Sequence, residues 1–268
     1  MKPLAIVLLL VSSALAQAPP SASAPGAVNS RNDPNAQKAR TLLQQCIEAL
    51  GGQAWLNVQD MEQQGRTYSF YQGQPNSVGA PFWRFWKWPD KDRIELTKQR
   101  DVVYINNGDK GYEITYKGTA AEEPEQLTDY LRRQKRSLEI VLRQWLNQPS
   151  TALFYDGPAV AEQKQAESVT LMNGEDAVTL FLDFHTHLPI KKTFIWRDKD
   201  RYKNEEAEIF DGWRPEQGIM TAHSIIRARN GDYTNQRFLT SVKYNTGLSD
   251  AMFNASVTYD PYKPQRKK

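Results

Sequence analysis

The 268-residue chain contains a single cysteine, Cys46, and only three histidines. One thiol excludes an intrachain disulfide framework and every zinc site built on paired cysteines. Three imidazoles leave little material for histidine chemistry. Charge of one sign is equally scarce. The 34 Lys+Arg against 31 Asp+Glu leave a formal +3, far from the clustered positive excess of a nucleic-acid binder. With 15 Gly and 15 Pro, the chain is neither collagen-like nor of low complexity. Residues 4–11 form an unbroken apolar run, too short for a bilayer span of about 20 residues, and no later stretch approaches that length. No repeat of fixed period is visible, which sets aside propellers and solenoids.

What is present begins with that run. Met1-Lys2-Pro3 is a short basic start, and Ser12-Ser13-Ala14-Leu15-Ala16 ends in an A-x-A pattern before Gln17. This is the layout of a secretory signal peptide over 1–16 with cleavage after Ala16, so the mature protein is expected to be periplasmic or secreted, and soluble. A lipid anchor would need a cysteine at the cleavage junction, and Cys46 lies well downstream. Residues 17–32, rich in Ala, Pro, Ser and Asn, are expected to be a flexible leader. Residues 33–256 read as one domain and 257–268 as a basic tail, either solvated or touching an anionic membrane surface.

Asp33 and Pro34 have the chemistry of a helix start. Ala39, Leu42, Leu43, Cys46, Ile47 and Leu50 recur at helical spacing, and Gly51-Gly52 ends the helix. Cys46 lies on the apolar stripe and reads as a packing residue. From Asp60 the period changes to two, giving strands over about 61–72, 81–88, 93–98, 101–106 and 111–117. One long amphipathic helix follows, from Glu122-Glu123-Pro124 to Asn147-Gln148-Pro149. Leu127, Tyr130, Leu131, Leu138, Val141, Leu142 and Trp145 form its apolar face. Arg132, Arg133, Lys135, Arg136 and Arg143 read as a solvated face or as a docking patch for an acidic surface. Strands resume over about 168–172, 177–183, 190–198, 205–210, 219–229 and 237–244, with Asn173-Gly174 and Asn230-Gly231 as hairpin dipeptides. Strand runs broken by a single helix point to an α+β fold. The expected architecture is a strongly curved antiparallel sheet, an incomplete barrel of about 11 strands, with helices lidding its concave face.

Motifs for chemistry are sparse. No nucleophile elbow, P-loop, dinucleotide fingerprint or His-Glu-x-x-His occurs, so no enzyme and no cofactor is expected. Asp183, His185 and His187 would share one face of an extended strand and are the weak metal candidates, although Leu188-Pro189 resembles a hairpin tip. A metal-dependent hydrolase at His185 and His187 is the reading they would carry. His223 reads as a satisfied sheet residue.

The aromatics are the distinctive feature: 11% of the residues, with seven Trp and twelve Tyr, in a chain of mean hydropathy −0.67. Alternation puts Phe82, Trp86 and Trp88 on one side of a strand and Trp83 and Phe85 on the other, so both faces are apolar. Core packing and a hydrophobic ligand site are both open there. Tyr68, Phe70, Trp83, Phe85, Trp86, Trp88, Tyr104, Tyr112, Tyr116, Leu131, Leu138, Phe194 and Trp196 are the candidate lining of a common cavity, and Ile114, Leu180 and Leu182 offer further bulk.

Several local patterns recur in a set order. Ala49-Leu50-Gly51-Gly52 closes the first helix, and Thr186-His187-Leu188-Pro189-Ile190-Lys191 enters a strand. Gly218-Ile219-Met220 leads another strand, with Asn230-Gly231 at a turn. Val242-Lys243-Tyr244-Asn245 is followed by Leu248-Ser249-Asp250 and Phe253. Over about residues 34–256 this resembles the LolA/LolB-like superfamily, in particular the outer-membrane lipoprotein-sorting group. The resemblance implies an incomplete curved barrel with a helical lid and a hydrophobic cavity that receives acyl chains in outer-membrane biogenesis and transport. It departs from the family in lacking the lipidated cysteine of the anchored receptor and any match to the carrier's lid-locking arginine. The expected partner is a lipid or lipidated protein, with transient membrane or membrane-protein contact and no nucleic acid. The alternative is an exported structural or interaction module with a filled core. The sequence leaves the oligomeric state open.

Overall fold

The computed structural model describes residues 33–262. The expected signal segment 1–16, the leader 17–32 and the last six residues of the tail lie outside the described residues.

The first helix, α1 (Pro34–Leu50), starts and stops where its chemistry dictates. Asp33 Oδ1 accepts the Asn35 amide at 3.1 Å, and the Gly51 and Gly52 amides close the last turn on the carbonyls of Glu48 and Ile47. Gly51 has φ 126°, and a Cβ there would meet the Gly218 carbonyl oxygen at 2.7 Å, so glycine is required twice over. Its stripe of Ala39, Leu42, Leu43, Cys46 and Leu50 is buried. Burial pushes the Cys46 thiol pKa up, which makes it an inert packing group. A one-turn helix, α2 (Gln53–Leu56), follows and buries Trp55.

Fourteen strands form one antiparallel sheet. They are β1 (Asp60–Tyr71), β2 (Gln74–Pro75), β3 (Ala80–Lys87), β4 (Lys91–Leu96), β5 (Val102–Asn107), β6 (Lys110–Thr115), β7 (Gly118–Ala121), β8 (Thr151–Ala161), β9 (Lys164–Asn173), β10 (Asp176–Asp183), β11 (Pro189–Arg197), β12 (Lys203–Glu216), β13 (Ile219–Arg229) and β14 (Asp232–Tyr244). Their order is β7-β6-β5-β4-β3-β1-β14-β13-β12-β11-β10-β9-β8, with β2 paired only to β1. The order is open at β7 and β8, so the sheet is not closed into a barrel. The α+β curved-sheet expectation holds, with fourteen strands in place of about eleven. The chain meanders outward from β1 to β7. It then crosses to the opposite edge through α3 (Pro124–Gln134), α4 (Leu138–Arg143) and a 3-10 turn (Trp145–Asn147), and meanders back until β14 pairs with β1. The expected single long helix is thus two. Ser137 divides it, because its hydroxyl accepts the Ile140 amide and caps a new helix. Among the described residues no helix is long and apolar enough to cross a membrane.

The seam between β1 and β14 bends at Gly65, where the register shifts and a Cβ would stand 1.9 Å from the Phe238 carbonyl oxygen. The main core lies on the inner face. There α1 meets Leu153, Val169, Leu171, Leu180 and Leu182, and the sheet continues through Phe194 to Phe82 and Trp86. The outer face of the β3–β6 wing is covered by the chain's own C-terminal segment. Phe253 and Leu248 pack on Val103 and Ile105 with Phe85, Tyr112 and Ile114. Lys87 and Lys91 hold Asp250 at 2.9 and 2.8 Å, and Arg93 donates to the Met252 carbonyl at 3.0 Å. The tail expected from 257 onward begins as an ordered strap, since the Thr258 amide donates to the Thr119 carbonyl at 2.8 Å.

Candidate functional site

The thirteen candidate cavity residues divide between the two faces. Trp86, Trp88, Tyr104, Phe194 and Trp196 face inward. Tyr68 and Phe70 face outward, edge-on to Phe238 and Tyr233. Trp83 also faces outward, under the Arg100 guanidinium at 4.8 Å. Phe85 and Tyr112 lie beneath the C-terminal segment, and Tyr116 is 90% exposed at a turn. Leu131 is half-buried on α3, and Leu138 on α4 lines the inner cavity. The common aromatic-lined face therefore does not form. Side chains alternate strictly along a strand, and the second apolar face is spent on the C-terminal strap. Only Leu138 of the thirteen borders the cavity beneath the crossover helices.

That cavity has a volume of about 150 Å³ between the inner sheet face and the crossover helices. Part of its wall is apolar, with Leu50, Trp55, Met61, Phe210, Trp213 and Met220, and part is charged, with Arg84, Asp92, Arg133, Glu208, Arg227 and Arg237. These charges come from β3, β4, α3, β12, β13 and β14, and apart from Arg133, read as part of a solvated face or docking patch, none was singled out in the sequence. A signal for several was present: Arg84 is in phase with Phe82 and Trp86, Lys192 with Phe194 and Trp196, and Glu208 with Phe210. A charge at a core-phase position is costly unless something pairs with it.

Most of these charges are paired. Arg84 grips Asp92 with Nε at 2.9 Å and Nη2 at 2.8 Å. Lys192, 1% exposed, places Nζ 2.6 Å from Glu208 Oε2, and Arg227 Nε donates to Glu208 Oε1 at 3.3 Å. Burial works to raise the Glu208 pKa, but Lys192 and Arg227 outweigh it and hold the carboxyl far below the usual range. Arg237 differs. Among the described residues its side chain makes no hydrogen bond or ion pair, and its Nε is buried without a partner. Burial, with Arg227 and Arg84 alongside, pushes its pKa down to about 9. Arg133 Nε is also buried and unpartnered, and its nearest carboxylates, Glu206 and Asp129, are 3.8 and 3.9 Å away. Burial and Arg227 push its pKa down to about 10.

Of the cations read as a solvated face or a docking patch, Lys135 is exposed, whereas Arg132, Arg136 and Arg143 turn inward and attach the crossover to the sheet. Arg132 stacks on Trp196 at 3.5 Å, Arg136 on Phe194 at 4.9 Å and Arg143 on Trp88 at 3.7 Å. Asp129 accepts from Arg132 at 2.7 Å and from Arg229 at 2.8 Å, and Arg136 pairs with Asp176. Helix α3 has no buried residue, whereas α4 buries Ile140, Val141 and Leu142. The two helices are therefore anchored by different forces, α4 by apolar burial and α3 by ion pairs and ring stacking.

The metal candidates form a turn. Asp183 Oδ1 accepts from the amides of His185 (3.0 Å) and Thr186 (2.8 Å) and from the Thr186 hydroxyl (3.0 Å). His185 is exposed and His187 has φ 59°. The one-face geometry of an extended strand is not formed, and among the described residues no three His, Cys, Asp or Glu side chains gather to hold a metal. His223 is buried, with Nδ1 donating to the Leu239 carbonyl at 3.0 Å and Nε2 3.0 Å from Glu216. A recess of about 490 Å³ on the outer face, lined by Ile209, Ile226, Phe238 and His223 among others, is separate from the lidded cavity.

No family model and no curated protein matches the sequence. Solved structures do match in fold. A DUF1329 family protein from Desulfovibrio piger is 12% identical, with a TM-score of 0.58 over 82% of this chain and 97% of that one. A putative outer membrane lipoprotein-sorting protein domain from Vibrio parahaemolyticus is also 12% identical, with a TM-score of 0.55 over 82% and 97%. A LolA superfamily protein from Nitrosomonas europaea is 13% identical, with a TM-score of 0.49 over 81% and 97%. On the first two comparisons, the chain has the LolA/LolB-like fold of the lipoprotein-sorting group that its sequence resembles.

Proposed function

We propose that this is a non-enzymatic binding protein of the cell envelope that shelters the acyl part of a lipid or lipidated protein between the inner sheet face and helix α3. The observation that carries this reading is the attachment of α3. It lies over the half-buried Trp196 yet buries no side chain of its own, and is tied down by the Arg132 stack on that ring and by ion pairs of Arg132 and Asp129 with Glu206 and Arg229. Such contacts re-form in water at little cost, so the helix can lift where a hydrophobically buried one could not. The cavity of about 150 Å³ lies below the range of about 300–1,000 Å³ usual for ligand pockets. Uptake of a chain therefore requires α3 to move, exposing apolar surface worth about 0.8 kcal/mol per methylene covered. The shared fold with a lipoprotein-sorting domain supports the same reading. Delipidated protein should take up a fluorescent fatty acid saturably, and Trp196→Glu, at a half-buried position, should weaken uptake while leaving the circular dichroism unchanged. Absence of saturable uptake would instead favour an exported interaction module with a filled core, to which the small cavity lends weight.

A further inference from the structure

A buried guanidinium without a carboxylate is unusual in a folded protein, since an ion taken from water is strongly destabilised unless a counter-charge meets it. Arg237 is in this position: 8% exposed, bordering the cavity, its side chain without a hydrogen bond or ion pair among the described residues. The surroundings do not compensate. Asp92 is engaged by Arg84, and Glu208 is shared by Lys192 and Arg227. Glu139 is the remaining carboxylate at the cavity wall. Against these three carboxylates the cavity wall carries four arginines, Arg84, Arg133, Arg227 and Arg237, and after Arg237 the least engaged is Arg133, whose carboxylates Glu206 and Asp129 stand 3.8 and 3.9 Å away. The whole cavity they border, about 150 Å³, has room for a carboxylate or phosphate group with some of its hydration. Guanidinium forks match the oxygens of such groups in pairs.

We infer that the charged wall of the cavity binds the anionic head group, carboxylate or phosphate, of an amphiphile whose chain lies along Phe210, Trp213 and Met220, with Arg237 as the unpaired donor and Arg133, held only loosely by Glu206 and Asp129, as the second. The anion site stands on the buried charges alone. Only the attachment of a chain rests on the proposed function.

Binding to the full mature chain is measured by calorimetry with four probes: dodecanoate, dodecanol, dodecyl phosphate and inorganic phosphate. Dodecanoate and dodecyl phosphate should each bind about tenfold or more tighter than dodecanol, the scale of a charge-assisted hydrogen bond. Arg237→Met should abolish that preference and leave dodecanol affinity unchanged. Arg133→Gln, on α3, should reduce it and serves as the second variant if Arg237→Met does not fold. Binding of inorganic phosphate that depends on Arg237, with no binding of any dodecyl probe, would uphold the anion site, assign it to a free anion and sink the acyl reading. Equal affinity for dodecanol and dodecanoate, a preference that survives both substitutions, or no binding of any anion would overturn the inference.

Discussion

Arg237→Met should make the ligand-free protein more stable. The wild-type side chain is buried among Arg84 and Arg227 without a hydrogen-bonding partner, and its pKa falls more than three units from the ordinary arginine value to about 9. At about 1.36 kcal/mol per pKa unit, that fall corresponds to roughly 5 kcal/mol of unfavourable surroundings for the charge. The sign is fixed because a pKa of about 9 still leaves the group charged at pH 7, so the full penalty is felt there. Water in the cavity recovers part of it. Buried ionic groups replaced by apolar ones of similar size have given about 1–4 kcal/mol of added stability, and methionine keeps most of the volume of the arginine stem. The expected gain is therefore about 1–4 kcal/mol, read as a higher midpoint in urea at pH 7 with an unchanged slope. A loss of stability in this variant would mean that Arg237 is structurally satisfied, and the case for a vacant cation would fail with it. A gain coupled to lost anion affinity is the pattern of a group kept for function at the expense of the fold.

The lid makes two further predictions. Arg132→Ala removes a ring stack at 3.5 Å and the bond to Asp129, together about 1–2 kcal/mol. Amide exchange in α3 should then speed up about five- to thirtyfold while β9 and β10 keep wild-type protection. Uniform acceleration across the sheet, or none in α3, would contradict an independently opening lid. Asp129→Asn tests the pH dependence. Burial works to raise the Asp129 pKa, but the bonds from Arg229 and Arg132 outweigh it and hold the carboxyl below its ordinary 3.8. Its contribution is thus fully present above that value and lost as pH falls through the lower folded one. The stability gap between wild type and variant should be constant at neutral pH and close well below 3.8. A gap that widens on acidification would reverse the sign and exclude the ion pair as its source.

Much of the fold was legible because it is written in local chemistry. Asp33, Pro34 and Gly51 delimit α1 by capping. Asn230 and Gly231 both take positive φ, 53° and 89°, as a tight hairpin turn demands. The alternation of Phe82 to Trp88 places its side chains on the faces expected. Strand β8 was missed because Gly157 and Pro158 interrupt its pattern. A proline is tolerated there because β8 is an edge strand, with a register shift between Tyr155 and Gly157. The long helix was overextended because an apolar stripe does not register that Ser137 caps a second helix.

The sequence by itself determined the elements, the antiparallel character of the sheet and the two-faced aromatic strand, since each follows from contacts within a few residues or from a period of two. Only the tertiary structure decided what covers each face and where the cavity lies. The C-terminal strap claims the outer aromatics, and β1 meets β14 across more than half the chain. That closure brings Arg84 and Arg133 to Arg227 and Arg237, which no local period relates. The physical reason is range. Backbone geometry fixes the side a residue points to, whereas a buried charge acquires its meaning from partners that only long-range pairing supplies.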